Sequence, residues 1–399
     1  MADRAEPIWS RTFLFLCLTQ LLGYSHNALL TPTLPLYITH LGGSAFIVGL
    51  TLAAFSVTSV LIRPAIGYWA DTWSDVGVMA LGLLLLGLSV LLCVIPLVET
   101  TMVANALRGI GWAGLNTGGY CLLATLAPHT RRGEAAGYYT GIQSASHIIF
   151  PSVALWLLDA PGGGFTPVIL LSTAIAVLGS LLGFPVRAGR AQLSAPPRPV
   201  AETQQSLTTS TFVDRGVLVA TSLLLCFTLP IPASSGFVVL YAREMGIEHI
   251  GWYYIVGGSA SLLARPLLGR ISDQTGRART IVVGLTLEIL GLILLVMAHS
   301  LTALIIAGVF YSIGAAVGTA TTMALAIDRA DPQRRGVAMA TFSISFPAGM
   351  GLGALVAGAV VELSGYRVMF STIAILVSVG LFLAFLNWSL LAPRQPTLK

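Results

Sequence analysis

The chain has 399 residues, 55% of them hydrophobic and only 9% charged, with 21 basic against 16 acidic side chains and a net charge of +5. A soluble domain carries about 25% charged residues, so this composition excludes a water-covered globule. The charges fall between apolar runs and form no continuous face, which excludes a nucleic-acid surface as well.

The N-terminus, "MADRAEPIWSR", has two acids and no small-residue cleavage site, so it reads as a retained cytoplasmic tail. Apolar spans then follow at roughly 11–38, 45–70, 77–96, 101–126, 135–158 and 166–186, and again at 213–240, 249–270, 280–298, 301–327, 337–361 and 367–391. None alternates polar with apolar residues as a barrel strand would, so each is predicted to be a helix. The expected fold is an all-α integral membrane protein of twelve transmembrane helices. The four cysteines, Cys17, Cys93, Cys121 and Cys226, lie inside spans with no CxxC or His/Cys pairing, which predicts neither a disulfide nor a metal site.

Orientation follows from the basic residues. Arg4, Arg11, Arg131, Arg132, Arg187, Arg190, Arg198, Arg215, Arg270, Arg277, Arg279, Arg329, Arg334, Arg335, Arg394 and Lys399 fall on the side of the termini, against Arg243 and Arg367 on the other. Both termini are therefore expected in the cytoplasm, with the protein multi-pass in the cell (inner) membrane. The polar stretch from Arg187 to Arg215 divides the spans six and six. The expected organisation is a six-helix bundle over 1–186, a cytoplasmic linker over 187–212 and a second six-helix bundle over 213–399.

The halves echo each other. "RPAIGYWAD" at Arg63–Asp71 returns as "RPLLGRISD" at Arg265–Asp273, an offset of 202, and "TRRG" at Thr130 returns as "QRRG" at Gln333. A parallel repeat of this kind suits two bundles that rock about a central site. The phrase Gly269–Arg277 resembles the loop signature of the major facilitator superfamily, and Gly67–Asp71 matches its first half. Span number, repeat, linker position and loop motifs extend that resemblance over essentially the whole chain.

The resemblance implies a cytoplasmic latch. Asp71 would cap the helix that follows Arg335-Gly336, and Asp273 the helix that follows Arg132-Gly133, each using the favourable field of a helix N-terminus. Gly67, Gly269 and Gly276 would allow close helix approach, and Arg277 would pair with Asp328. The first copy departs from the signature at Ser74 and Asp75, so its charge relay would run through Arg131. The resemblance also implies that the first, fourth, seventh and tenth spans line the cavity, and it sets Arg108 beside a fourth-helix motif common in proton-coupled members. The fifth span keeps Pro151 of the antiporter signature but not its glycines.

Ionisable residues inside spans are costly and are functional candidates by default. Arg108, His26, His147 and Glu288 lie well inside their spans; Arg108 has Tyr311 as its repeat counterpart. Each histidine is a candidate proton carrier or a hydrogen-bonded packing residue, and Arg108 either binds substrate or braces the bundle through Asn27. The expected substrate and proton pathway comprises Tyr24, His26, Asn27, Arg108, Trp112, Asn116, Gln143 and His147 on a polar wall, and Tyr311, Phe342 and Phe346 on an aromatic one. This points to proton-coupled export of amphipathic small molecules, neutral or anionic, by a monomer that needs no cofactor and draws on the proton gradient. A lipid or lysolipid translocator and a proton-coupled symporter of a polar metabolite are the alternatives. No nucleophile–base pair argues for an enzyme. "GIGWAG" at Gly109 fits a dinucleotide-binding pattern but follows no strand.

Overall fold

The computed structural model describes residues 8–127, 131–191, 215–330 and 335–391, and every regular element among them is helical. The expected linker beyond residue 191 lies outside the described residues, as do the extreme termini. Helix α1 (Arg11–His40) starts at Ser10, whose hydroxyl caps the Phe13 N–H at 3.1 Å. There follow α2 (Ala45–Leu61), α3 (Arg63–Trp69), α4 (Asp75–Val90), α5 (Val98–Leu126), α6 (Arg132–Asp159) and α7 (Phe165–Ala191). The later elements are α8 (Leu218–Thr228), α9 (Val238–Glu244), α10 (Gly251–Thr275), α11 (Arg277–Met297), α12 (Leu301–Arg329), α13 (Arg335–Leu386) and α14 (Trp388–Leu391).

Eight described segments are long and apolar enough to cross a membrane. Helix α5 is long enough, at 29 residues, but less apolar, because it carries Asn105, Arg108 and Asn116.

One predicted boundary is corrected. The expected loop after residue 70 is a π-helical turn, Ala70–Ser74, that runs α3 into α4; Ser74 caps Gly77 N at 3.0 Å. The two spans predicted over 337–361 and 367–391 are two helices that meet within α13 at a kink. The kink is at Gly365, whose φ of 82° and ψ of 175° are open to glycine and strained for other residues. The span predicted over 213–240 is one apolar segment, Leu218–Glu244, interrupted where Pro230 and Pro232 remove backbone donors. A π-helical turn, Ala233–Phe237, separates α8 from α9 there.

Within the first half α4 packs on α5, α1 on α6 and α7, and α2 on α5; within the second, α11 and α10 pack on α12, and α8 on α13. The halves meet along two seams, α2 against α13 and α6 against α10. The face where α1 ends and α2 begins is termed distal; the opposite one, where α1 starts, is the terminal face. The backbones approach most closely toward the distal face. A Cβ at Gly358 would lie 2.9 Å from Gly49 Cα, and one at Gly49 would collide with the Ala354 carbonyl. Nearby, Phe46 N donates to Glu362 Oε2 at 3.3 Å, and Arg243 pairs with Asp159 across the halves.

Gly49→Leu is therefore expected to disfavour this closed distal seam by about 1–3 kcal/mol, roughly 5–150-fold in population. Pulsed spin-label distances between positions 46 and 362 should lengthen in the variant; an unchanged distribution contradicts the packing argument.

Candidate functional site

The site is built on α5, which α2 holds in register. Thr58 donates to the Ala106 carbonyl at 2.7 Å, and Asn105 Nδ2 donates to the Thr51 carbonyl at 2.7 Å. That second bond orients the Asn105 amide so that its oxygen faces the next helical turn, where Arg108 Nη1 donates to it. Arg108 Nη2 donates to Asn27 Oδ1 of α1 at 2.9 Å, and the guanidinium lies 5.4 Å from the centre of the Phe55 ring. Arg108 is 4% exposed, and its Nε has no hydrogen-bond partner. No ion pair to Arg108 occurs among the described residues. Two amides and an aromatic face thus hold a cation without neutralising it.

Beside this guanidinium is a cavity of about 160 Å³ between the two halves. Asn27, Thr31, Phe55, Asn105, Arg108 and His147 line its polar wall; Ile231, Pro232, Ser235, Gly236 and Met350 close it from the second half. The broken helix between α8 and α9 supplies four of these, so the π-helical turn sets the shape of the opposite wall. Such turns recur at functional sites because they re-aim side chains that a regular helix would turn away. Sequence reasoning did not single out Ser235 and Gly236; the two prolines just before them were the available signal.

The sequence-predicted residues divide into three groups. Asn27, Arg108 and His147 line the cavity. Tyr24, Trp112 and Asn116 form the adjoining layer: Tyr24 donates to Asn116 Oδ1 at 2.7 Å, its ring is 4.7 Å from that of Trp112, and it meets His147 edge-on at 5.8 Å. The others sit apart from the cavity wall. His26 is fully buried and faces α7, where its Nδ1 donates to the Ser172 carbonyl at 2.9 Å. That bond requires the proton on Nδ1. Gln143 reaches Gln20 at 3.4 Å, Tyr311 and Phe342 are buried in the second half, and Phe346 is 43% exposed.

The latch residues give a different picture from the one expected. Asp71 is exposed, and Arg131 pairs with Glu134 three residues on, at 2.8 Å, instead of relaying charge toward Asp71. The side chains of Asp273 and of residues 132–133 and 335–337, at the starts of the helices to be capped, lie outside what the structure describes. A Cβ added at Gly67 would meet nothing within 4 Å, and Gly276 precedes α11 with a φ of 90°. Arg277 contacts Asp328 at 3.3 Å. What crosses between the halves is the arginine that opens each copy of the repeated phrase. Arg63 donates to the Ser343 carbonyl at 3.4 Å, and Arg265 to the Ser144 hydroxyl at 2.7 Å. The repeat was visible in sequence, but it was read through its aspartates.

Two helical halves with a repeated loop phrase, meeting around a central polar cavity, have matches among known proteins. Residues 16–259 and 234–399 match the Major Facilitator Superfamily. The chain belongs to that superfamily. It is a multi-pass membrane transporter and not an enzyme. It is 21% identical over 381 residues to the staphylopine export protein of Staphylococcus aureus (strain Mu50 / ATCC 700699), covering 94% of this chain and 96% of that one. Over 132 residues it is 25% identical to the quinolone resistance protein NorA of the same strain, 33% of this chain and 34% of the relative. Among solved structures, a bacterial homolog to the human lysosomal transporter Spinster, inward-facing and unoccupied, superposes with a TM-score of 0.79. It has 15% identity and covers 98% of this chain and all of that one, which is a likeness of fold.

In this major facilitator protein the two crossing arginines make hydrogen bonds from partly exposed groups, each contributing about 1 kcal/mol. Arg63→Ala and Arg265→Ala are expected to raise hydrogen exchange of the facing backbone around Ser343 and Ser144, respectively, by roughly fivefold. Equal exchange in wild type and variants would remove the arginines from the gating contact.

Proposed function

We propose that the protein is a proton-coupled exporter of amphipathic small molecules, neutral or anionic, working by alternating access. The observation that carries this reading is Arg108, a buried guanidinium with two amide partners, no ion pair among the described residues and an open side toward the cavity. A substrate with a polar or anionic end satisfies that cation, while Phe55, Leu52 and Ile231 receive its apolar body. The relative named as an export protein supports the direction of transport. Twelve membrane passes with both termini cytoplasmic follow from the paired sixfold spans and the basic residues on the terminal side. On that orientation, in the cell membrane, the seam joined at Gly49 and Gly358 lies on the side away from the cytoplasm. The transporter works as a monomer, without a cofactor, and the proton gradient supplies the energy. Protonation and substrate compete for one conformational state, which links the two fluxes.

One observation favours a second reading, translocation of a lipid or lysolipid. An apolar groove of about 300 Å³, lined by Ile148, Ile149, Val153, Trp156 and Ile255, runs along the α6–α10 seam next to His147. An acyl chain fits such a groove while its headgroup reaches the cavity.

Reconstituted in liposomes with an imposed pH difference, the protein is expected to move an anionic amphiphilic dye in preference to a cationic one. Arg108→Ala removes charge-assisted hydrogen bonds of about 1.5–3 kcal/mol, so uptake should fall roughly 10–100-fold. Arg108→Lys should keep part of it. Dye movement indifferent to Arg108→Ala would overturn the reading, and gradient-independent movement of labelled phospholipid would establish the second one.

A further inference from the structure

The two halves repeat in their packing as well as in their loops, and the repeat exposes one side chain that packing does not explain. In the first half α4 and α5 cross at Gly82 and Gly111; a Cβ on Gly111 would lie 2.9 Å from both the N and the Cγ of Leu86. In the second half α11 and α12 cross at Gly284 and Gly314, and a Cβ on Gly314 would lie 2.7 Å from the N and 3.0 Å from the Cγ of Glu288. Leu86 and Glu288 therefore occupy the same place in their bundles, and both are 0% exposed. A leucine fills that place in one half. The carboxyl in the other is a departure that the fold does not require.

Neither carboxyl oxygen of Glu288 has a hydrogen-bond partner. The elements packed against α11 bring few titratable groups toward it. Tyr311 on α12 and Cys226 on α8 are within its electrostatic reach, and Tyr253 on α10 lies beyond Tyr311. The sequence of α13 holds no ionisable side chain from Phe342 to Val361 or from Val368 to Leu386. On α11 itself the charges are Arg277 and Arg279 at its start, and on α12 Asp328 and Arg329 at its end. No cation among these neighbours is placed to balance a carboxylate, so the group is accommodated in this packing only as the neutral acid.

Glu288 is linked to the cavity wall through Tyr311 and Ser234. Ser235 lines the cavity, and its neighbour Ser234 faces the hydroxyl of Tyr311, the residue that replaces Arg108 in the second half. Tyr311 is pressed onto α11 at Gly291, where a Cβ would lie 2.6 Å from its backbone N. A shift of α12 against α11 would move Tyr311 and open Glu288 toward the cavity together.

We propose that Glu288 is a proton-binding site of the transport cycle, protonated in the packing seen here and ionised in a conformation that lets water reach the α11–α12 crossing. The step breaks only the carboxyl O–H bond; the proton passes to water and a carboxylate remains, and the reverse step restores the acid. The charge state then biases helix packing, because the carboxylate excludes the closed crossing. This assignment rests on the proton-coupled reading above for its place in transport, though not for the protonation itself.

Two measurements test it. Infrared spectra of the full-length protein in lipid nanodiscs at neutral pH are expected to show the carbonyl stretch of a protonated carboxylic acid that disappears on alkaline titration. That band should be absent from both Glu288→Gln and Glu288→Leu, the latter matching Leu86. Spectra of wild type and both variants that agree throughout the titration would overturn the proposal. In liposomes, Glu288→Gln is expected to exchange the anionic dye at near wild-type rate without a gradient but to lose pH-driven accumulation at least tenfold; full accumulation in both variants overturns the coupling role. If wild type moves no dye, the export reading fails, and the infrared titration still decides whether Glu288 carries an exchangeable proton.

Discussion

A guanidinium placed among apolar helices must find hydrogen-bond partners in the protein, because a charged group deep in a bilayer costs at least about 2.5–3.5 kcal/mol. Arg108 obtains two from amides, Asn105 one turn earlier on its own helix and Asn27 on α1. Asn105 serves because Thr51 fixes its orientation from α2. One buried cation thereby dictates the relative placement of three helices. It also accounts for the polar sequence of α5, which needs α1, α2 and α4 around it to remain out of lipid.

The rest of the first bundle is arranged around that requirement. Phe55 faces the cation from α2, Trp112 continues the aromatic surface at 6.1 Å from Phe55, and Tyr24 carries it to His147. The cavity opens where this wall meets the broken helix of the second bundle, whose irregular backbone is tolerated because it lines a cavity and is shielded from lipid. Across the seams the halves touch through small residues, a few long polar arms and an apolar layer in which Leu34, Ile38, Val48 and Leu155 join the core of the second half.

Chemistry in this protein resides in departures from its internal repeat. The fold duplicates helices, crossings and loop phrases, yet Arg108 has Tyr311 as its counterpart and Glu288 has Leu86. A strictly symmetrical pair of bundles would present the same groups to both walls. Replacing a packing residue by an ionisable one in a single half creates a difference between walls at no cost to the shared architecture.

The sequence by itself determined the membrane-spanning class, the internal repeat and which few residues must carry chemistry, because the bilayer tolerates so few polar groups that each is conspicuous. The Arg108–Asn27 and Arg277–Asp328 contacts were legible for the same reason: a rare charge has few available partners. Other features required the tertiary structure. A helix that is apolar on every side gives no periodic signal of which side faces a neighbour, so only packing turned His26 toward Ser172 and away from the cavity. The crossing arms of Arg63 and Arg265 depend on how far apart the halves lie, a distance set by contacts hundreds of residues away in the chain. Composition fixed the solvent and the stock of polar groups; helix rotation and the spacing of the two bundles decided which of those groups meet.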